Sequence, residues 1–402
     1  MSEPFFSVII PTRNRPELLS SAVVSVLNQT FNNYELIISD NSDDKLPVLD
    51  ALTKLEDWSN NPRCKLIQPT SYMHMPDHWE FCNEHASGEY VLILTDRFVM
   101  RPSSLQVLAD KIRLRSDTKP DVVLWNVQSS FDDETKILTT QTFSSDVSEL
   151  EPHQILRDFV SFSSWETGSL YFNNLPRGMN SAYRRCFGAK LKAKYGRIFP
   201  ALSPDYSSAF LFLAYANKAL CVDLPFYVSH GLKSTGMNST IYGIHMLSAD
   251  VDPLQGCPLQ IDTVVNSVVR DFLSISELVY PQLESVSLNV VGYFLENYRE
   301  IIYKELLGSP MNTKHMYETF DEKVLTLSPC EQDEIKNGMS VLEKMKATQL
   351  NVFRYKLTHS LGLQSLKRSF DSVRARRNHK RDGGIFYSDV LQAATITDDY
   401  LT

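Results

Sequence analysis

The stretch that most constrains this chain is Tyr90-Val91-Leu92-Ile93-Leu94, an unbroken apolar run leading into Thr95-Asp96-Arg97, with Pro102 six positions past the acid. An apolar run without polar alternation suits a strand covered on both faces, as in a parallel sheet. Ligands of open α/β sheets bind outside the carboxyl ends of such strands, so Asp96 and Arg97 fall where chemistry is done. An ordinary strand running into a surface loop would read the same way, and the surrounding sequence has to decide.

That sequence repeats the arrangement. Phe5-Phe6-Ser7-Val8-Ile9-Ile10 is a β-branched run stopped by Pro11, a buried strand by its composition. Asn14 is placed to cap the next helix, with Pro16 and Glu17 in its first turn. Leu18, Leu19, Ala22, Val23, Val26 and Leu27 recur at helical spacing. Tyr34 to Asp40 is a second strand that ends in an acid. Strand, helix and strand together make a βαβ unit with a right-handed crossover. Helices are expected over Leu46 to Trp58 and Pro76 to His85, a strand over Cys64 to Gln68, and a break at Gly88 before the central strand. Neither a G-x-G-x-x-G after the first strand nor a G-x-x-x-x-G-K-[ST] occurs, which removes P-loop NTPases and weakens a dinucleotide fold.

A chain of 402 residues suggests two or three domains. It has no apolar run of 18 residues and no basic N-terminal region before an apolar stretch, so neither a spanning helix nor a secretory signal is expected. The six cysteines are scattered without a C-x-x-C, which points to reduced thiols and a cytoplasmic setting. Net charge is −8, yet positions 351 to 381 hold nine Lys/Arg and one acid. The body is therefore acidic and the tail alone basic, which argues against a nucleic-acid enzyme.

Several blocks in order now carry a resemblance. Ser7-Val8-Ile9-Ile10-Pro11-Thr12-Arg13-Asn14-Arg15, Ser25-Val26-Leu27-Asn28-Gln29-Thr30-Phe31, Tyr34 to Ser42, and Ala86-Ser87-Gly88-Glu89-Tyr90-Val91 followed by Thr95-Asp96 and Pro102 resemble family 2 glycosyltransferases. The likeness covers roughly residues 5 to 235. It implies a GT-A fold, a Rossmann-like mixed sheet flanked by helices, here followed by an α-helical C-terminal region. The implied domains are 1–245, divided into a nucleotide-binding half (1–130) and an acceptor half (131–245), then a helical accessory region (246–350) and a basic tail (351–402). The implied donor is a nucleotide-diphospho-sugar, UDP-linked by expectation, with Pro11, Thr12, Arg13 and Asp40 at the nucleobase and Asp96 at the ribose. Arg13 stands where many members have an aromatic residue, and a guanidinium plane can also stack on a base. Asp40 as a loop-capping acid, and Thr12 and Arg13 as a solvated turn, are the plain alternatives.

The sequence departs from that family's pattern at its metal motif as well. Arg97 occupies the position of the acid that usually coordinates Mn²⁺ or Mg²⁺, and one carboxylate beside an arginine is a poor site for a hard cation. Two readings follow: the guanidinium does the metal's work on the leaving diphosphate, or the site and its activity have decayed. An Asp96–Arg97 surface ion pair fits the second.

On the acceptor side Pro120 to Val127 is a strand, followed by a polar stretch suited to a hairpin or excursion. Gly178-Met179-Asn180-Ser181 precedes Arg184-Arg185, and the same tetrapeptide at 236–239 is a coincidence. Leu202-Ser203-Pro204-Asp205-Tyr206 opens a helix whose N-terminus would keep Asp205 ionised. Asp205 resembles the family's catalytic base and could equally be a helix cap. His230 and Lys233, in a glycine-bearing loop, resemble groups that reach the diphosphate, and a lone loop histidine can also be merely solvated. From Asp262 onward helices are expected, with Asn289 to Leu307 stopped by Gly308 and a capping box at Ser328-Pro329-Cys330-Glu331. Apolar residues within 353–381 are compatible with an interfacial helix on anionic lipid and with a solvated basic tail.

The resemblance thus implies an inverting glycosyltransferase acting on a glycan or lipid-linked acceptor in bacterial-type surface polysaccharide synthesis, cytoplasmic or peripheral at the membrane. A non-catalytic binding or scaffold protein is the rival, favoured by Arg97. A nucleotidyltransferase would need a glycine- and basic-rich loop after the first strand, which Pro11 to Arg15 lacks.

Overall fold

The computed structural model describes residues 3–114, 119–162, 174–200, 203–230, 254–282, 287–307, 309–348, 373, 375–381 and 384–401. The chain forms two compact units: unit 1 from Met1–Ile155, Asn174–Lys233 and Gly383–Thr402, and unit 2 from Leu156–Asn173 and Ser234–Asp382.

Unit 1 is built on an eight-stranded mixed sheet. Its strands are β1 (Phe6–Thr12), β2 (Tyr34–Asp40), β3 (Cys64–Ile67), β4 (Tyr90–Ile93), β6 (Val122–Leu124), β9 (Val147–Leu150), β10 (Ser181–Arg184) and β11 (Ala219–Val222), in the order β3-β2-β1-β4-β10-β6-β11-β9. β1 lies between β2 and β4 and is parallel to both, with Thr12 opposite Asp40 and Phe6 opposite Tyr90. Being central, β1, β2 and β4 are buried on both faces, which is why their sequences show no polar alternation, and the polar Ser7 and Glu35 within them bond each other at 2.6 Å. Antiparallel β10 then separates β4 from β6 and makes the sheet mixed.

The helices of this unit are α1 (Pro16–Leu27), α2 (Leu46–Thr53), α3 (Met75–Glu84), α4 (Ser104–Arg113), α5 (Pro152–Ser161, which runs on into unit 2), α6 (Arg185–Tyr195) and α7 (Pro204–Tyr215). Leu19, Ala22, Val23 and Val26 of α1 and Leu105, Leu108 and Ile112 of α4 share one core with Val8, Ile10, Leu36, Ile38 and Leu92. Each buried Val, Leu or Ile among them contributes roughly 1.5–3 kcal/mol by leaving water, and this fixes the strand ends against which a ligand must sit. Asn14 does not cap α1: Arg15 holds the cap position without a side-chain bond. Asn14 turns the chain at φ 56° and spends its side chain on Asp43, a conformation Asn tolerates better than most residues.

The expected hairpin after β6 is formed by antiparallel β7 (Ser129–Asp132) and β8 (Ile137–Thr140), which join β5 (Phe98–Met100) and β12 (Tyr227–His230) in a second, four-stranded sheet in the order β5-β12-β7-β8. The end of the chain differs from expectation. Residues 384–401 do not continue a basic tail but return to unit 1 as α13 (Val390–Ile396) and a 3₁₀ turn, Asp398–Leu401. The reason is apolar: Val390, Ala393 and Ala394 pack with Val99, Phe131 and Val228, and Leu401 enters the main core. Most of the basic stretch 351–381, on which the lipid and solvated-tail readings fall, lies outside the described residues.

Unit 2 is helical, as expected: α8 (Val264–Ser274), α9 (Ser276–Val279), α10 (Val290–Leu307), α11 (Thr313–Val324) and α12 (Pro329–Thr348). The capping box is present, Ser328 donating its N–H and hydroxyl to Glu331 at 2.9 and 2.6 Å. Glu300 accepts the N–H groups of Val264 and Val265 at the start of α8 and pairs with the fully buried Lys304 at 3.2 Å. Among the described residues no helix is long and apolar enough to cross a membrane. All six cysteines are free thiols.

Candidate active site

The carboxyl ends of β1, β2 and β4 bring the first groups together. Phe98 N–H closes a turn on Thr95 C=O at 2.9 Å, and His230 N–H donates to the Arg97 carbonyl at 3.1 Å. Asp96 and Arg97 are thereby fixed between β4 and β5. Asp96 is buried, one oxygen accepting the Thr12 hydroxyl at 3.0 Å and the other an Arg15 N–H at 3.4 Å. Burial pushes its carboxyl up, and Arg15, Thr12 and Arg97 pull it back only in part.

Arg97 lies with its guanidinium 4.8 Å from the Phe98 ring centroid and one N–H 4.0 Å from Met179 Sδ. Burial and then Arg15 draw it below the ordinary guanidinium value, while Asp205 and Asp96 oppose. It therefore feels both carboxylates at once. The surface ion pair imagined for Asp96 and Arg97 is not what forms, because Asp96 turns to Thr12 and Arg15.

Asp205 is the second residue of α7. Burial pushes its carboxyl up, against Arg177, its own and Tyr206's N–H groups, and Arg97. The helix N-terminus does favour the charged form, as expected, but burial outweighs it. The result suits a general base, whose proton affinity should approach the working pH. Arg177 donates to the Tyr206 hydroxyl at 3.4 Å, and its Nε is buried without a partner among the described residues.

At the neighbouring strand end Asp40 is fully buried, with Ser42 N–H at 2.9 Å and Gln68 Nε2 at 3.3 Å on its two oxygens. Pro11 precedes Thr12 at the end of β1, opposite Ser39. Arg13 sits over the half-exposed Tyr72 ring at 4.3 Å and pairs with Asp43 at 3.0 Å. Arg13 is thus already stacked on an aromatic residue 59 positions further along the chain, which local sequence could not show. His230 ends β12, its Nδ1 2.9 Å from Asp133 Oδ2 and its Nε2 buried without a partner among the described residues. Lys233 lies outside the described residues.

Sequence reasoning missed Arg15 and Arg177. Arg15 stood inside the first block, three residues past Thr12 and just before Pro16. Arg177 precedes Gly178, whose backbone lies so close to Trp79 that a Cβ there would stand 2.4 Å from the ring. Arg15, Arg97 and Arg177 together outnumber Asp96 and Asp205, an excess of cationic groups that suits a diphosphate.

The donor set does not fit a divalent cation. Both Asp96 oxygens are engaged by Thr12 and Arg15, the next residue is Arg97, and no group of three or more His, Cys, Asp or Glu among the described residues could hold a metal. A hard cation needs several free oxygens.

Comparison with known proteins finds the following similarities. The profile described as glycosyl transferase family 2 matches residues 7–176. A curated relative, the GalNAc(5)-diNAcBac-PP-undecaprenol beta-1,3-glucosyltransferase of Campylobacter jejuni, is 36% identical over 111 residues, 27% of this chain and 34% of that protein. The chain thus spans about a third of the length of the curated relative it matches. Among solved structures, S. aureus TarS 1-349 in complex with UDP-GlcNAc is similar at a TM-score of 0.46 with 17% identity, over 95% of this chain and 93% of that one. The mannosyltransferase PcManGT from Pyrobaculum calidifontis, in complex with GDP-Man and Mn²⁺, is similar at 0.41 with 12% identity, over 89% and 88%. The residues matched by the family 2 profile contain Thr12, Asp40, Asp96 and Arg97.

Proposed function

We propose that this chain is an inverting glycosyltransferase that moves a sugar from a nucleotide-diphospho-sugar, most simply a UDP-sugar, to a hydroxyl of a glycan or lipid-linked acceptor, without a divalent cation. The observation that carries the reading is that Arg97, standing where family 2 glycosyltransferases place a metal ligand, feels the charge of both Asp96 and Asp205. The lipid-linked acceptor and a role in bacterial surface glycan synthesis are supported by the kind of relative matched.

The chemistry is a displacement at the anomeric carbon. Asp205 takes the proton of the acceptor hydroxyl as its oxygen forms the new bond to that carbon. The bond from the anomeric carbon to the diphosphate breaks on the opposite face, and the nucleoside diphosphate leaves with the electron pair. Arg97, with Arg15 beside it, meets the charge that develops there; a guanidinium stays charged at neutral pH and binds phosphate oxygens with two parallel N–H groups. His230, whose Nδ1 lies 2.9 Å from Asp133 Oδ2 and whose Nε2 is buried without a partner among the described residues, donates to the diphosphate only as the doubly protonated imidazolium. At the other end Thr12, Arg13 and Asp40 hold the nucleoside, and Asp96 the ribose.

The test is donor hydrolysis and transfer in EDTA against the same assay with Mn²⁺, over a panel of UDP- and GDP-sugars. Activity should persist in EDTA, and Arg97→Asp should abolish it. A strict Mn²⁺ requirement in the wild type would refute the arginine substitution. Absence of nucleotide binding by calorimetry and of turnover with every donor would instead favour the non-catalytic binding module.

A further inference from the structure

Arg177 is not explained by packing alone. Its backbone is fixed: its N–H donates to Leu175 C=O at 2.8 Å, and its carbonyl accepts Asn180 N–H at 3.0 Å and the Ser181 hydroxyl at 2.8 Å. Gly178, pressed against Trp79, holds the same turn from the other side. From this root the guanidinium reaches the first turn of α7, yet its one hydrogen bond there, to Tyr206, is long at 3.4 Å, and the Tyr206 ring centroid is 5.7 Å away. A side chain with a buried, unpartnered Nε and so weak a polar partner has an electrostatic reason to be there. Asp205 beside Tyr206 supplies it.

We propose that Arg177 is a positioning residue for transfer, the dedicated charge partner that keeps the Asp205 carboxylate in its proton-accepting form once a diphosphate has occupied Arg97. This rests on the reading of Asp205 as the base. The charged groups that act on Asp205 among the described residues are Arg177 and Arg97. Helix α3, which packs on α7, contributes none: its Asp77 pairs with Arg197, its Glu80 accepts the N–H groups of Ile198 and Phe199, and its His78 bonds Ser39. Arg97 has a divided duty, since it also faces Asp96 and Arg15 and must meet the donor's phosphates. A bound diphosphate brings like charge toward Asp205 and would drive it to take up a proton early, losing the base. A second cation committed to Asp205 opposes that, because an opposite charge within a few ångströms favours the ionised carboxyl.

The test compares the wild type, Arg177→Met, Arg177→Lys and Asp205→Asn. The Asp205 carboxyl is followed by ¹³C NMR of protein labelled at aspartate, the resonance being assigned by its loss in Asp205→Asn, with and without UDP. UDP release from the active UDP-sugar is recorded against pH in parallel. In Arg177→Met the Asp205 midpoint and the acid limb of turnover should both move upward by about 1–3 pH units, more so with UDP bound. Arg177→Lys, which keeps the charge, should restore most of the shift. UDP affinity and the melting temperature check that Arg177→Met is folded, and if it is not, Arg177→Lys against Arg177→Gln gives the same comparison. An Asp205 midpoint unchanged in Arg177→Met, or in the folded neutral variant, overturns the inference. Full turnover in Asp205→Asn overturns the base assignment itself, whatever Arg177 does.

Discussion

Replacing Arg101 by methionine should destabilise unit 1 by about 3–5 kcal/mol. Arg101 is fully buried although charged. Its Nε donates to Thr397 C=O at 2.9 Å and to the Thr397 hydroxyl at 3.1 Å, one terminal nitrogen donates to the Ser129 hydroxyl at 3.1 Å, and the other to Pro225 C=O. Burial draws its pKa down to about 10, so it remains charged at neutral pH. A hydrogen bond from a charged donor contributes roughly 1.5–3 kcal/mol net, and a buried carbonyl left bare costs about 1–3 kcal/mol. Methionine forfeits these bonds and leaves the carbonyls of Thr397 and Pro225 unpaired. Against that stands relief of several kcal/mol of guanidinium desolvation, so the total falls well below the gross loss. Urea unfolding followed by tryptophan fluorescence reads the change, since Trp58, Trp79 and Trp125 all lie in unit 1. The midpoint should fall with the m-value unchanged, and 384–401 should become the first site of proteolysis. A loss below about 1 kcal/mol would refute the view that Arg101 holds the C-terminal segment against β5 and β12.

Three further outcomes are expected. Asp205→Asn should lower turnover by about 10²–10⁴-fold while calorimetry finds UDP affinity unchanged, and in the wild type turnover should be lost as pH falls through a midpoint above the ordinary carboxylate value, because the raised carboxyl must be ionised to act. Asp40→Asn, which keeps the shape but weakens acceptance from Ser42 N–H and from a base, should cost roughly 1–3 kcal/mol of nucleotide binding by calorimetry. His78, buried against Ser39 at 2.7 Å, has its pKa pulled down by burial to about 4. The folded chain binds that proton less readily than the unfolded one, so this stability is complete above the unfolded value near 6.5 and is lost as pH falls toward 4. From 6.5 to about 4 the loss amounts to roughly 3 kcal/mol, and wild type and His78→Gln should differ by that much in how far urea stability drops between pH 7 and pH 4.

Where the sequence was legible, burial had written it. β1, β2 and β4 show no polar alternation because they are central and covered on both faces, and each ends at the residue read as functional or just short of it. Asp40, Asp96 and Asp205 stood out because an acid at a strand end or helix start interrupts an apolar pattern. Arg15 and Arg177 did not, since a basic residue in a loop is the commonest thing a surface sequence contains; only contacts across 81 positions to Asp96 and 29 to Tyr206 give them meaning. Arg13 against Tyr72 is hidden for the same reason. The C-terminal return was illegible because its anchors, Tyr387, Val390, Ala393, Ala394, Thr397 and Leu401, form no long apolar run in the sequence, and its buried partner Arg101 looks solvated until Thr397 is placed beside it.

The same ribbon serves both ends of this arrangement. β5 begins one residue after Arg97 and runs to Met100, next to Arg101. β12, antiparallel to it with Val228 opposite Val99, ends at His230, whose N–H holds the Arg97 carbonyl. The far end of the ribbon is tied by Arg101 to Pro225 and Thr397, and its outer side is covered by α13. An arginine that replaces a metal ion cannot recruit its geometry from coordination bonds; it is a long, flexible side chain whose aim depends on where its backbone is held. For Arg97 that backbone is the turn between β4 and this ribbon. Under the role proposed for Arg97, its aim depends on the support behind that turn, and the buried Arg101 with the returning C-terminal segment supplies that support.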